Sequence, residues 1–367
     1  MTQIQEQTQG RLLSLDFYRG LTMFLLIAEF SHLFTYMVSP ELEGSMIHWL
    51  GTQLHHVKWE GMRFWDLIQP FFMFIVGVAM PLSFSRRMAK GDSMGNVTKH
   101  VFKRAFLMLF LGWALYCIDP GKIVFRFQNV LAQLGVAYLL AFVVIRKPAA
   151  IQIGFSVLLL LLTEGLYRFF PLEGFDKAFV NGENFSAWFN ILISGEESGG
   201  GWAMFNAIPT AAHTIWGVTA GQLLMSDKPA NKKLQLLVIS GVAGLVIGYA
   251  LSPFTPIIKK IATSTFVVAS GGWSLLALAL CYWIIDVKKY QKGVLFFAIV
   301  GMNPLFIYLF AHVGGADLIR KIVLPFSNAA FAWTGELGAH IILSIIVLFL
   351  LWYVCYWMYK KKVFIRI

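Results

Sequence analysis

Apolar residues in this chain come in blocks, each near the length of a bilayer crossing and each bounded by charged or turn-forming residues. LLVISGVAGLVIGYAL (236–251) and IILSIIVLFLLWYVCYW (341–357) contain no charged residue. The pattern predicts ten spans, at roughly 16–37, 63–84, 105–119, 128–145, 149–168, 207–225, 234–252, 268–286, 294–312 and 338–357. The third is short, and an eleventh helix or a re-entrant piece fits within 185–206 or 313–335. The expectation is an all-α, polytopic membrane protein whose residues 1–367 form one domain. No internal repeat, low-complexity tract or linker divides it, and no inverted repeat of the transporter kind is evident.

Composition agrees with the blocks. The chain is 58% hydrophobic and only 13% charged, with mean hydropathy +0.68, whereas a water-soluble domain carries about 25% charge. Its formal net charge of +11 would point to nucleic acid in a soluble protein. Here the charges lie between spans, so the positive-inside rule is the better reading and no nucleic-acid partner is expected. One set of connections holds nineteen basic residues: Arg11, Arg86, Arg87, Lys90, Lys99, Lys103, Arg104, Arg146, Lys147, Lys228, Lys232, Lys233, Lys288, Lys289, Lys292, Lys360, Lys361, Lys362 and Arg366. The other set holds ten: Lys58, Arg63, Lys122, Arg126, Arg168, Lys177, Lys259, Lys260, Arg320 and Lys321. Arg19, inside the first span, completes the thirty. The richer set is expected in the cytoplasm, with both termini, which leaves His55, His56 and Asp66 at the outer face. The polar start MTQIQEQTQGR does not read as a signal peptide. Cys117, Cys281 and Cys355 all sit in apolar segments without CxxC spacing, so neither a disulfide framework nor a zinc site is read.

Ionisable groups within or beside spans are costly and so suggest function. They are Asp16, Arg19, Glu29, His32, Asp66, Glu164, His213, His312 and His340. Asp16 and Arg19, three apart, either pair with each other or serve a cofactor. His213 and His312 fit a bond to a neighbouring helix, and His340 an interfacial position. His55 and His56 precede the second span beside Trp59, where an imidazole can take and return a proton near neutral pH. Asp66, ten residues on, can fix the imidazole tautomer and support its cationic form. The competing reading is an aromatic-belt segment whose histidines face headgroups. No H-E-x-x-H, P-loop or Rossmann glycine pattern is present, so no metal or nucleotide loop is read. The outer connection 169–206, with its aromatics and GEESGGG, is long enough to suggest function.

Several stretches together resemble a known family, the transmembrane acyltransferases related to lysosomal heparan-α-glucosaminide N-acetyltransferase. LLSLDFYRGLTMFLLI (12–27) is similar to the family's opening span. His56, Trp59 and Gly61 followed by DLIQPFFMFIVG (66–77) match its histidine, W-x-G and D-L-x-x-P-x-F-x-F-x-x-G. RFQNVLAQLGVAY (126–138), GGGWAMFNAIPTAAHTIWGVTAG (199–221), PIIKKIATSTFVVASGG (256–272) and GMNPLFIY (301–308) have counterparts in the same order. The family histidine falls on His56. There are departures. The family's active-site asparagine near the end of the first span is replaced within IAEFSHLF, which leaves Glu29 or His32 as substitutes. The glutamine-arginine pair of the fourth-span motif reads Ala132-Gln133, and a tryptophan position reads Ala262.

The resemblance implies transfer of an acetyl group from cytoplasmic acetyl-CoA to the amine of a glucosamine-type sugar on the other side of a bacterial inner membrane. It also implies a homodimer. His56 is expected as general base or transient acetyl carrier, with Asp66 behind it. Arg19, Lys103, Arg104, Lys233 and Lys288 are candidates for the CoA phosphates at the cytoplasmic rim. Asn129, Asn303 and Tyr308 are candidate donors to the thioester oxyanion, and the loop 169–206 suits part of a sugar site. Two alternatives stand: an O-acyltransferase acting on a cell-envelope glycan, and an amino-sugar transporter.

Overall fold

Where the sequence predicts apolar spans, the chain forms helices. The computed structural model describes residues 12–365. Arg11 and Arg366, assigned to the cytoplasmic set, lie outside the described residues, as does the MTQIQEQTQGR start. In chain order the helices are α1 (Leu13–Phe30), α2 (Leu33–Met37), α3 (Met46–Gln53), α4 (Ile68–Ala89), α5 (Met94–Ile118), α6 (Val130–Val144), α7 (Ala149–Arg168) and α8 (Phe185–Ser194). They continue with α9 (Ala207–Met225), α10 (Ala230–Ala250), α11 (Ser264–Cys281), α12 (Val294–Met302), α13 (Pro304–His312), α14 (Gly315–Phe331) and α15 (Gly335–Lys360). Among the described residues there is no β-strand, only an isolated antiparallel bridge between Glu60 and Ile258.

Among the described residues six stretches are long and apolar enough to cross a membrane: Phe64–Ala89, Met94–Ile118, Ala149–Arg168, Ala230–Ala250, Ser264–Val287 and Gly315–Lys360. The α12–α13 pair makes a seventh if it counts as one span. Three helices predicted as spans fall outside that set for different reasons. Helix α6 has only 15 residues. Helix α1 carries Asp16, Arg19 and Glu29. Helix α9 holds three threonines, two glycines and His213, and most of its residues are buried. A helix sheathed by protein need not be apolar all round.

Two predicted spans are broken. The 16–37 block stops at Phe30, because His32 adopts a left-handed backbone (φ 63°) before α2 resumes. The 294–312 block is bent by 70° between α12 and α13, at Asn303-Pro304, where proline removes a backbone donor. The two regions left open for a further helix each hold one. Helix α8 is 10 residues long. Helix α14 is 17 residues long and exposes Leu318, Ile322 and Phe326 along one side.

The chain groups into two compact units. One comprises the described residues up to His56, then Arg63–Ile68, and the chain from Cys281 onward. In it α1 lies so close to α12 that a Cβ on Gly20 would sit 2.1 Å from the Phe297 carbonyl oxygen. Phe17 and Phe24 meet Phe297 edge-on, at 5.3 and 5.4 Å. On α15, Trp352 stacks on Phe296 and donates to its carbonyl at 2.9 Å.

The second unit comprises Val57–Met62 and Gln69–Leu280. Helix α9 runs through it. A Cβ on Gly217 would come within 2.2 Å of the Phe74 carbonyl of α4, and one on Gly77 within 2.0 Å of that of Thr214. Small residues at such crossings let backbones touch, which is how helices associate where lipid removes the hydrophobic drive. On the α7 side Trp216 donates to Ser156 at 2.8 Å, and Gln152 joins Thr219 and Gln222.

Candidate active site

The segment between α3 and α4 is irregular and is held by side chains. Asp66 lies in a single 3-10 turn, Phe64–Leu67, and is 1% exposed. The Arg63 backbone N–H donates to its Oδ2 at 2.9 Å, while the Asp66 N–H donates back to the Arg63 carbonyl at 3.0 Å. The carboxylate therefore closes its own turn, as an N-terminal cap does. Its other oxygen, Oδ1, lies 2.8 Å from His56 Nδ1. A buried carboxylate there accepts from Nδ1–H, which leaves Nε2 as the basic nitrogen of the neutral ring. The His56 side chain keeps about a third of its surface exposed (35%). The arrangement joins a base to an orienting acid, with the acid fixed by backbone and sequestered from water.

Trp65 stands beside the pair. Trp65 is 2% exposed, its ring 6.5 Å from that of His56. Its Nε1–H donates to Glu29 Oε1 at 3.1 Å, and Phe34 packs edge-on at 5.1 Å. Glu29 is thus tied to the neighbour of Asp66, a link that sequence spacing does not reveal. His55 and His32 have other partners. His55 Nδ1 is 2.7 Å from the Gly51 carbonyl and closes the end of α3. His32 Nε2 lies 3.2 Å from Asp317 Oδ1, both side chains being largely exposed.

The candidate oxyanion donors fall in both units. Asn129 caps α6, its Oδ1 accepting from Leu131 N at 2.7 Å. Asn303 is fully buried at the α12–α13 bend and holds the segment after α15: Nδ2 donates to the Val363 carbonyl and Oδ1 accepts from Ile365 N, both at 2.9 Å. The Tyr308 ring packs on His312 at 4.0 Å. His213 bonds a neighbouring helix, with Nε2 2.9 Å from Ser270 Oγ.

The candidate phosphate-binding cations divide between the units. In the first, Arg19 pairs with Asp16 at 2.8 Å, and Lys288 lies over Trp283 at 5.7 Å. In the second, Lys233 donates to the Leu224 carbonyl at 2.8 Å and so caps α9. Arg104 sits 4.9 Å over the Tyr138 ring, and Lys103 is exposed. Arg87, Lys103 and Arg104 all act electrostatically on His100, as does Asp92, which pairs with Arg87 at 3.3 Å.

A helical membrane-type chain with a His–Asp pair at an irregular inter-helix segment can be compared with known proteins. The family model described as heparan-alpha-glucosaminide N-acetyltransferase, catalytic, matches residues 11–251. The chain belongs to this family. Human heparan-alpha-glucosaminide N-acetyltransferase is 23% identical over 97% of this chain and 60% of the human protein. The mouse protein of the same name is 23% identical over 99% of this chain and 61% of its own length. The chain therefore spans about 60% of the length of these relatives. The family match contains His56, Asp66, Lys103, Arg104 and Asn129, and ends before Lys288, Asn303 and Tyr308. Family membership and the apolar helices together support a multi-pass membrane protein.

Proposed function

We propose that this protein is a membrane-embedded acetyltransferase that moves acetyl from cytoplasmic acetyl-CoA to the amine of a glucosamine-type sugar at the outer face of a bacterial inner membrane. The observation that carries the reading is the 2.8 Å contact between His56 Nδ1 and the buried Asp66 carboxylate. In this reading the chain forms one catalytic domain with ten spans and both termini in the cytoplasm, as the basic residues between blocks favour.

Nε2 of His56 takes the proton of the attacking amine as nitrogen bonds to the thioester carbonyl carbon. The C–S bond then breaks, and the imidazolium returns the proton to the departing CoA thiolate. Asp66 stabilises the intervening cation through Nδ1–H. The same pair also suits attack by Nε2 itself, giving a transient acetyl-imidazole that the amine resolves. Among the basic candidates, Lys103 and Arg104 have the best support as phosphate partners. They lie in the third turn of α5 within electrostatic reach of His100, which Arg87 also acts on, so several cations are available to one anion.

The test is vectorial transfer in liposomes containing purified protein, with acetyl-CoA confined to one side and glucosamine to the other. N-acetylglucosamine formed on the sugar side supports the reading. Glucosamine transport without acetyl-CoA, or acetylation of hydroxyl acceptors alone, overturns it.

A further inference from the structure

Within the second unit, the C-terminal ends of α4, α6 and α9 come together around a cavity of about 390 Å³. Its walls include Pro81 and Ser85 of α4, Arg146 just after α6, and Gln222, Met225 and Ser226 at the end of α9. None of these residues serves the transfer chemistry. Arg146 belongs to the basic-rich connections that the charge pattern assigns to the cytoplasm.

The end of α6 is prepared for an anion. The last carbonyls of a helix carry partial negative charge and repel one. Here side-chain amides cover them. Gln222 Nε2 donates to the Ile145 carbonyl at 2.6 Å, and the fully buried Gln152 donates to the carbonyls of Lys147 at 2.9 Å and Val144 at 3.2 Å. Thr219 holds Gln152 in turn, its hydroxyl donating to Oε1 at 2.6 Å. Arg146 sits in this capped turn, and its exposed guanidinium has no hydrogen bond, ion pair or ring contact among the described residues. On the α4 wall the Ser85 hydroxyl is likewise without a partner among the described residues. Lys147 follows Arg146 and Lys228 lies just beyond Ser226, against the single carboxylate of Asp227 between them.

Between α4 and α9 the cavity is a cup with a closed floor. A Cβ on Gly221 would lie 2.5 Å from the Val78 carbonyl oxygen and 2.8 Å from Pro81 Cγ, so the two helices touch there and leave no room for a long cofactor arm between them. The outer edge is apolar: Met225 is 41% exposed, and Val143, shortly before Arg146, is 67% exposed. An unpaired guanidinium and a hydroxyl beside exposed apolar side chains suit a phosphate that carries hydrocarbon chains. Basic pockets between the cytoplasmic ends of spanning helices take anionic lipid head groups in this way.

We propose that this cavity binds the phosphate of an anionic glycerophospholipid from the cytoplasmic leaflet. Arg146 pairs with the phosphate, Ser85 donates its hydroxyl to it, and the acyl chains run along Val143 and Met225. The inference needs the helices to span a membrane with their basic ends inward, and it is independent of the acetyl donor and acceptor. A soluble phosphate ester shares the head-group chemistry but leaves the apolar edge unused.

The experiment is native mass spectrometry of the purified full chain in detergent, titrated with phosphatidylglycerol or with phosphatidylcholine of the same acyl chains. Native protein binds phosphatidylglycerol about tenfold or more tightly than phosphatidylcholine. Arg146→Gln lowers the phosphatidylglycerol affinity by about tenfold or more, whereas Lys292→Gln, which removes an equal charge from the other unit, has only the small effect of an exposed charge. Equal binding of the two lipids, equal losses in the two variants, or displacement of phosphatidylglycerol from native protein by acetyl-CoA or inorganic phosphate overturns the proposal. No step of the assay uses acetyl transfer, so its outcome stands apart from the functional reading.

Discussion

Asp66→Asn preserves the shape of the side chain but removes its charge and turns one acceptor oxygen into an NH2 group. The native carboxylate is buried, and the donors it faces include His56 Nδ1 and the Arg63 backbone N–H. An asparagine has one acceptor oxygen, so one donor must face an NH2. If Arg63 keeps the oxygen, Nδ1 has to give up its proton to Nε2. Nε2 then cannot accept from an amine, and replacement of an orienting acid in this way lowers kcat by about 10⁴-fold. If His56 keeps the oxygen, the buried Arg63 N–H is orphaned, which costs about 1–3 kcal/mol of stability. The imidazolium also loses a charge-assisted bond worth about 1.5–3 kcal/mol, or roughly ten- to a hundredfold in kcat. Both outcomes give at least about a tenfold loss, and Tm separates them. The assay is acetyl-CoA-dependent formation of N-acetylglucosamine by purified protein, with KM for acetyl-CoA and Tm measured alongside. A kcat within about twofold of native at unchanged Tm would remove Asp66 from any catalytic role.

Other substitutions probe other parts of the structure. Gly217→Ala places a methyl against the Phe74 carbonyl and should cost about 1–3 kcal/mol, read as a fall in Tm in detergent; an unchanged Tm would mean that α4 and α9 do not meet there. Lys103→Gln with Arg104→Gln should weaken acetyl-CoA binding by about tenfold and flatten its salt dependence, and native affinity by calorimetry would clear both residues of phosphate contact. Asn303→Ala should free the 363–365 segment, with loss of about 1–3 kcal/mol and faster proteolysis after α15. A loss of about 10²-fold in kcat at native Tm would instead make Asn303 an oxyanion donor.

The spans were legible where composition alone decides them. Helices α7 and α9 coincide with the predicted 149–168 and 207–225, α7 starting directly after Pro148. Helix α5 begins eleven residues before the predicted 105–119 block, since 105 − 94 = 11. Its early turns carry Lys99, Lys103 and Arg104, so a hydropathy window registers only the later, apolar part. The break at His32 left no such trace, for a left-handed histidine carries no sequence signal of the kind glycine gives. The Asn303-Pro304 bend was visible as a proline, but the use of the Asn303 amide on residues sixty positions later was not.

At the site, histidine beside a carboxylate-bearing turn was readable from residue types and from the ordered family motifs. The resemblance favours His56 over His55, and in the structure the two rings have different partners. The chain ends α3 at Gln53, so the His55 ring reaches the Gly51 carbonyl, while His56 faces the turn that Asp66 closes. The Trp65–Glu29 bond joins residues thirty-six apart, and no local spacing rule reaches that far. Lys259, read only as an outer charge, is 7% exposed and lies against Trp202. Long-range side-chain contacts of this sort follow from tertiary packing, which periodicity does not encode.

The decisive comparison is product mass spectrometry on native and His56→Ala protein, each incubated with acetyl-CoA and glucosamine after equal folding and acetyl-CoA binding have been checked. Native protein should release CoA and form N-acetylglucosamine in equal amounts, while His56→Ala should form neither. N-acetylglucosamine made by His56→Ala at the native rate would contradict the assignment of the His56–Asp66 pair as the catalytic centre.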